Sequence, residues 1–250
     1  MTVSKSAIVT GAASGIGKCV ALRLAKPGSR LTLHSRKAIE ELEGVADTAR
    51  GQGAEVTVFT GDLAGPDVPA GIIAAHEAAY SSLDALVAVA GFPSRMPFEQ
   101  MIAEDIGYAF QANVQSFFAL GQAAAPMLRA SSMGRIVAVG SFTAHVFRTD
   151  LPQFPASAAS KGALEVAVRT MAAGLAPNGI TVNCIVPGFI EREARHSDGP
   201  GPDAVAEIER RIPLGRRGKP DEVAGVIAFL IGPDAAYVTG QSIHVNGGLC

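Results

Sequence analysis

The sequence predicts an α/β fold: a doubly wound parallel sheet of about seven strands with helices on both faces. Three observations lead there. Short, uniformly apolar runs alternate with longer helical patterns; the first run ends in a glycine-rich loop that opens a helix; and the glycines, 28 in all, sit at element junctions without forming a repeat. Strands that are apolar on both faces belong to a parallel sheet covered on both sides. Right-handed crossovers then wind it in two directions.

Ala7–Thr10 (AIVT) is the first expected strand and Gly15–Ala25 the helix after it. Leu31–His34 is the second strand, Ala38–Arg50 a helix, Val56–Thr60 the third strand and Val68–Tyr80 a helix. The fourth strand is Ala85–Ala90 (ALVAVA), followed by one long helical region from Phe98 to Leu128 and a fifth strand at Ile136–Val139. Ser157–Leu175 is helical because Leu164, Val168, Met171 and Leu175 repeat at helical spacing on one face. Ile180–Val186 is the sixth strand, Asp203–Arg211 and Asp221–Ile231 are helices, and Ser242–Val245 is the seventh strand. The Gly- and Pro-rich stretch HSDGPGPD, His196–Asp203, is a loop.

Composition narrows the function. With 250 residues, 48% hydrophobic and 18% charged, the chain has ample material for a core and is expected to be one domain over 1–250. A net charge of −2 supplies no basic field for nucleic acid or an anionic membrane. No apolar run reaches the length of a membrane span, and the N-terminus lacks the pattern of a signal peptide. Cys19, Cys184 and Cys250 are odd in number and far apart, so neither a disulfide framework nor a metal site is expected. Free thiols suit a cytoplasmic location.

Thr10-Gly11-Ala12-Ala13-Ser14-Gly15-Ile16-Gly17 lies where a strand meets a helix. Glycines there allow a tight turn and let a pyrophosphate approach the helix N-terminus, whose N–H groups and dipole stabilise it. Lys18-Cys19 follows the last glycine, so the Lys-Ser/Thr of a P-loop is missing. The second strand ends Leu33-His34-Ser35-Arg36-Lys37, without the carboxylate that would hold an NAD ribose. A serine and two cations suit a 2′-phosphate, Arg36 by bidentate hydrogen bonds and Lys37 by charge, so NADP(H) is favoured over NAD(H).

On these residues the sequence resembles the short-chain dehydrogenase/reductase family, over essentially Ser6 to Gly248, and the resemblance implies a Rossmann-type fold. Gly11, Ser14, Gly15, Ile16 and Gly17 match its glycine loop, and Asp62-Leu63 its adenine-contacting pair. Ala90-Gly91 closes its strand-four motif; Pro187-Gly188, with Ile190 beyond, matches the segment after strand six. Asn113, Ser141 and Lys161 match three of its catalytic positions, Lys161 also contacting cofactor. The resemblance implies hydride transfer between nicotinamide and a carbonyl or alcohol. It also implies a homotetramer or homodimer, built through the helices carrying Asn113 and Ser157–Leu175 and the C-terminal segment, and a substrate lid over 189–211.

Four residues before Lys161, where the family has a tyrosine as general acid/base, stands Ser157. An aliphatic hydroxyl is a far weaker acid than a phenol. Strand four reads Ala88-Val89-Ala90-Gly91, without the family's two asparagines, and Glu191-Arg192 follow Ile190 where a threonine is usual. Several readings stay open. One is an oxidoreductase in which Ser141 polarises the substrate oxygen and Lys161 supplies the proton through a water; His145, otherwise a solvent-facing loop residue, is another candidate acid. The others are an isomerase or lyase that keeps the cofactor, a scaffold that binds cofactor or partner without turnover, and a Ser157–Lys161 hydrolase. Arg192, Arg195 and His196 hint at an anionic substrate. The pattern is closest to 3-oxoacyl-carrier-protein reductases, but Met171-Ala172-Ala173-Gly174 replaces their basic docking residues, which argues against a carrier-protein partner.

Overall fold

The computed structural model describes residues 6–91, 96–148, 153–191 and 202–250. Its sheet has seven parallel strands: β1 (Ser6–Thr10), β2 (Arg30–Ser35), β3 (Glu55–Thr60), β4 (Ala85–Ala88), β5 (Arg135–Val139), β6 (Thr181–Pro187) and β7 (Ser242–Val245). The order is β3-β2-β1-β4-β5-β6-β7, so the winding reverses between β1 and β4. Ligands of such sheets bind beyond the carboxyl ends of the strands at that reversal.

The side-chain period of two divides each strand between two cores. Ala7, Val9, Leu31, Leu33, Val87, Val137 and Ile185 face one side, packed by α1 (Gly15–Leu24), α2 (Ile39–Gly51) and α8 (Pro220–Leu230). Ile8, Leu86, Ile136, Val182 and Val186 face the other, covered by α3 (Val68–Tyr80), α5 (Ser116–Ala130) and α6 (Pro155–Leu175). The inner strands β1, β4, β5 and β6 are buried throughout, whereas the edge strands β3 and β7 are half-buried. That is why the inner strands read as continuous apolar runs. Helix α7 (Pro202–Arg210) lies between β6 and α8 in the chain.

The largest departure from expectation is the region from Phe98 to Leu128, which is not one helix. Phe98–Gln100 is a single 3-10 turn, α4 covers Ala103–Phe110, and Gln111–Gln115 is a π-helical turn leading into α5. A π turn sits as a single bulge inside an otherwise continuous α-helical run, so α4 passes into α5 without a loop between them. Asn113 sits within it.

Candidate functional site

At the end of β1 the chain turns through Gly11 (φ +68°) and Gly15 (φ +53°), a backbone conformation that favours glycine. A Cβ on Gly17 would lie 2.1 Å from the Gly11 carbonyl oxygen, and one on Gly11 2.9 Å from the Ala90 nitrogen. The Ala12 N–H donates to the His34 carbonyl (2.8 Å) and the Ala90 N–H to Thr10 Oγ1 (3.1 Å), tying the loop to β2 and to the end of β4. Ile16 packs against one core and Leu63 lies in the other, anchoring both sides. Ser14 makes no side-chain cap, so it does not take up the first-turn N–H groups of α1. This cradle, which side chains would fill, fits a dinucleotide pyrophosphate.

One edge of the cleft carries charge. Ser35 is buried and its Oγ accepts from the Ala38 N–H at 3.3 Å, so among the residues assigned to a 2′-phosphate Arg36 and Lys37 are the exposed ones. Arg36 Nη1 donates to the Tyr108 hydroxyl (2.9 Å), which donates to Asp62 Oδ2 (2.7 Å). Asp62 Oδ1 accepts from the Ala64 N–H at 3.0 Å. Burial works against the Asp62 charge, but the Ala64 N–H, the Tyr108 hydroxyl and the cations Arg36 and Lys37 hold its carboxyl below the ordinary range. Sequence reasoning passed over Tyr108; its one signal is a tyrosine five residues ahead of Asn113.

At the other end, Ser157, Lys161 and Glu165 recur at four-residue spacing along α6, and all are buried. Lys161 Nζ donates to the Val139 carbonyl at 2.6 Å. A Cβ on Gly91 would meet this nitrogen at 2.8 Å and Asn113 Oδ1 at 3.2 Å, so Gly91, Asn113 and Lys161 converge. Burial lowers the Lys161 pKa to about 8. Asn113 Nδ2 donates to Ser160 Oγ (2.9 Å), which donates to the Ser157 carbonyl (3.1 Å). Ser141, just past β5, accepts from the backbone N–H and the hydroxyl of Thr143 at 3.2 and 2.9 Å. Its own O–H is thereby oriented to donate elsewhere.

Beyond β6, the Gly188 N–H donates to the carbonyl of Val245, the register partner of Pro187 on β7, at 3.1 Å. Ile190 bridges to Gly218, and Phe189 packs on Phe142 with ring centroids 4.4 Å apart, joining this segment to the one carrying Ser141. Of the expected lid, 192–201 lies outside the described residues, and with it Arg192, Arg195 and His196.

His145 is an exposed loop residue, as expected, but it has a partner. Its Nε2 lies 2.7 Å from Oε1 of the buried Glu165, and its ring meets His244 edge-on at 4.6 Å. The contact joins an exposed imidazole to a buried carboxylate 20 residues along the chain, and periodicity alone did not mark Glu165 as its partner. Cys184 is buried, and burial raises its thiol pKa to about 12, as expected of a core residue rather than a nucleophile. Ala88 lines a cavity of about 10 Å³, roughly one water in size, together with Thr10, Asn113 and Ser116.

A family model described as enoyl-(acyl carrier protein) reductase matches residues 11–250. The 3-oxoacyl-[acyl-carrier-protein] reductase FabG of Aggregatibacter actinomycetemcomitans is 35% identical over 249 residues, covering 99% of this chain and 100% of its own. The chain belongs to the short-chain dehydrogenase/reductase family. Among solved structures, a short-chain dehydrogenase from Burkholderia cenocepacia J2315 in complex with NADP superposes with a TM-score of 0.88 at 31% identity, over 98% of this chain and 97% of that one. YwfH, an NADPH-dependent reductase involved in bacilysin biosynthesis, does so with a TM-score of 0.90 at 28% identity, over 99% and 98%. Among the described residues no helix is long and apolar enough to cross a membrane.

Proposed function

We propose that this family member is an NADP(H)-dependent oxidoreductase of a carbonyl or alcohol substrate in which Lys161 replaces the family tyrosine as proton source. The observation that carries the reading is the buried Lys161 ammonium, held to the Val139 carbonyl beneath Gly91 and lowered to a pKa of about 8. A group that titrates there can give up a proton near neutral pH, which the Ser157 hydroxyl cannot. Gly11, Ser14, Gly15, Ile16 and Gly17 form the pyrophosphate cradle, Asp62 and Leu63 border the adenine, and Ala90, Gly91, Pro187, Gly188 and Ile190 line the nicotinamide end. The bound cofactor supplies hydride. Ser141 donates to the substrate oxygen, Asn113 braces α6 through Ser160, and Ser157 leaves room beside Lys161.

Arg36 supports the 2′-phosphate assignment: its side chain is 50% exposed and points to the cleft edge where Asp62 lies. The segment 189–211 borders the substrate, within a single-domain chain acting in the cytoplasm. A groove between α5 and α6, lined by Phe118, Gly121, Arg129 and Met171, suits assembly of a homodimer or homotetramer.

The test is a fluorescence titration with NADPH and NADH, on the unmodified protein and on Arg36→Ala. Binding of NADPH at least tenfold tighter than NADH, with that preference lost in the variant, supports the reading; a charged hydrogen bond is worth about 1.5–3 kcal/mol. Equal losses for both cofactors sink the Arg36 assignment. Failure to bind either makes the chain a scaffold, and tight NADPH binding without net oxidation across a carbonyl panel favours an isomerase or lyase.

A further inference from the structure

Arg36, Tyr108 and Asp62 come from three separate elements: the end of β2, helix α4 and the turn after β3. The guanidinium of Arg36 and the carboxylate of Asp62 stand 4.0 Å apart, with side chains 50% and 37% exposed. Between them stands one phenol, accepting from Arg36 at 2.9 Å and donating to Asp62 at 2.7 Å.

We propose that Tyr108 is a positioning residue for cofactor choice: by keeping Arg36 and Asp62 apart, it presents Arg36 to a 2′-phosphorylated adenosine. The inference rests on the cofactor reading above and adds the residue that makes Arg36 effective.

Left to themselves, a guanidinium and a carboxylate close into a two-bonded fork, which is short, charge-assisted and directional. Such a fork would commit the flat face of Arg36 to Asp62 and leave fewer N–H groups for a phosphate. The phenol prevents this by satisfying one donor of Arg36 and one oxygen of Asp62. A guanidinium has five N–H groups, so four remain after the bond to Tyr108. The phenol also fixes a long side chain whose rotamer freedom would otherwise be lost on binding.

The helix that carries the phenol is anchored just beyond it. Helix α4 continues into the π turn, where Asn113 is buried and bound to Ser160. Asp62 is secured from the other side by the Ala64 N–H. Asp62 is therefore held at the adenine edge by both oxygens, Oδ1 on the Ala64 N–H and Oδ2 on Tyr108.

The experiment is calorimetric titration with adenosine 2′,5′-bisphosphate and with 5′-AMP, which share the adenosine and differ in the 2′-phosphate. It uses the unmodified protein, Tyr108→Phe, Arg36→Ala and the double variant. Tyr108→Phe removes one oxygen and keeps the ring. It is expected to weaken the bisphosphate about five- to tenfold while changing 5′-AMP less than twofold, as expected when a charged hydrogen-bonding partner is mispositioned. In the Arg36→Ala background the same change is expected to shift the bisphosphate less than about twofold, because two residues acting through one contact are not additive. Equal weakening of both ligands, no weakening, or an undiminished effect in the Arg36→Ala background overturns the inference while leaving the cofactor reading standing. Arg36→Ala with unchanged discrimination between the two ligands overturns that reading, and the inference with it.

Discussion

Lys161 Nζ donates to the Val139 carbonyl at 2.6 Å, four residues beyond a buried Ser157 on the same face of α6. Val139 is the last residue of β5, so the lysine is fixed to the end of the central sheet where β1 and β4 also end. Burial lowers its pKa to about 8 because the low-dielectric surroundings disfavour the ammonium. An acid must be protonated to act, so carbonyl reduction is expected to be steady below about pH 7 and to fall as pH rises through about 8. Steady-state rates with saturating NADPH between about pH 6 and 10 check this. Lys161→Met should reduce the rate by about 10²-fold or more, the usual contribution of a positioned acid. A flat profile across that range assigns the proton to another group.

Ser157→Tyr is expected to raise carbonyl reduction at least tenfold. Positions 157 and 161 face the same way, so a phenol at 157 would stand beside the ammonium, whose charge lowers a phenol's pKa. NADPH consumption on a panel of ketones and aldehydes measures the gain. A folded variant that binds NADPH and gains nothing would show a pocket shaped for other chemistry.

Most of the fold is legible in the sequence, for a physical reason. Inner strands such as β5 and β6 must be apolar on both faces, and glycine is required where Gly11 and Gly15 adopt positive φ. The ends are less legible: β4 stops at Ala88, because Val89 and Ala90 leave the ladder to approach Thr10 and the glycine loop. The site is legible where one short segment carries the chemistry, as around Lys161. It is not legible where partners come from distant segments. The links Arg36–Tyr108–Asp62 and His145–Glu165 span 72, 46 and 20 residues, and no local spacing announces them.

Gly17→Ala is expected to damage the cofactor cradle directly. The added Cβ would sit 2.1 Å from the Gly11 carbonyl oxygen, a backbone atom that can move only by shifting the loop. Overpacking of this kind costs about 1–3 kcal/mol, and a displaced loop no longer aims its N–H groups at a pyrophosphate. NADPH and NADH should both weaken at least tenfold in titration, in contrast to the selective loss expected at Arg36. Undiminished affinity would place the dinucleotide elsewhere.

His76 is expected to lower stability in acid. It is fully buried in α3, with Nδ1 2.8 Å from Thr32 Oγ1 and Nε2 2.9 Å from both Ser6 Oγ and the Ser82 carbonyl. A carbonyl only accepts, so the neutral ring donates from Nε2 and accepts the Thr32 hydroxyl proton at Nδ1. Burial, the largest influence, lowers the pKa from 6.5 to about 4, with Arg30 acting in the same direction and the Ser82 carbonyl and Asp84 opposing. Between those values the unfolded chain binds more protons than the folded one, so stability must fall as pH drops below about 6.5 and level off below about 4. A shift of this size corresponds to about 3 kcal/mol at the acid limit. Urea unfolding at about pH 7, 5.5 and 4 measures the slope. His76→Gln is expected to be less stable at neutral pH, having lost part of the network, and to show a shallower decline toward acid. A decline as steep as that of the unmodified protein would place the acid sensitivity on another group, such as His34, whose pKa burial also lowers.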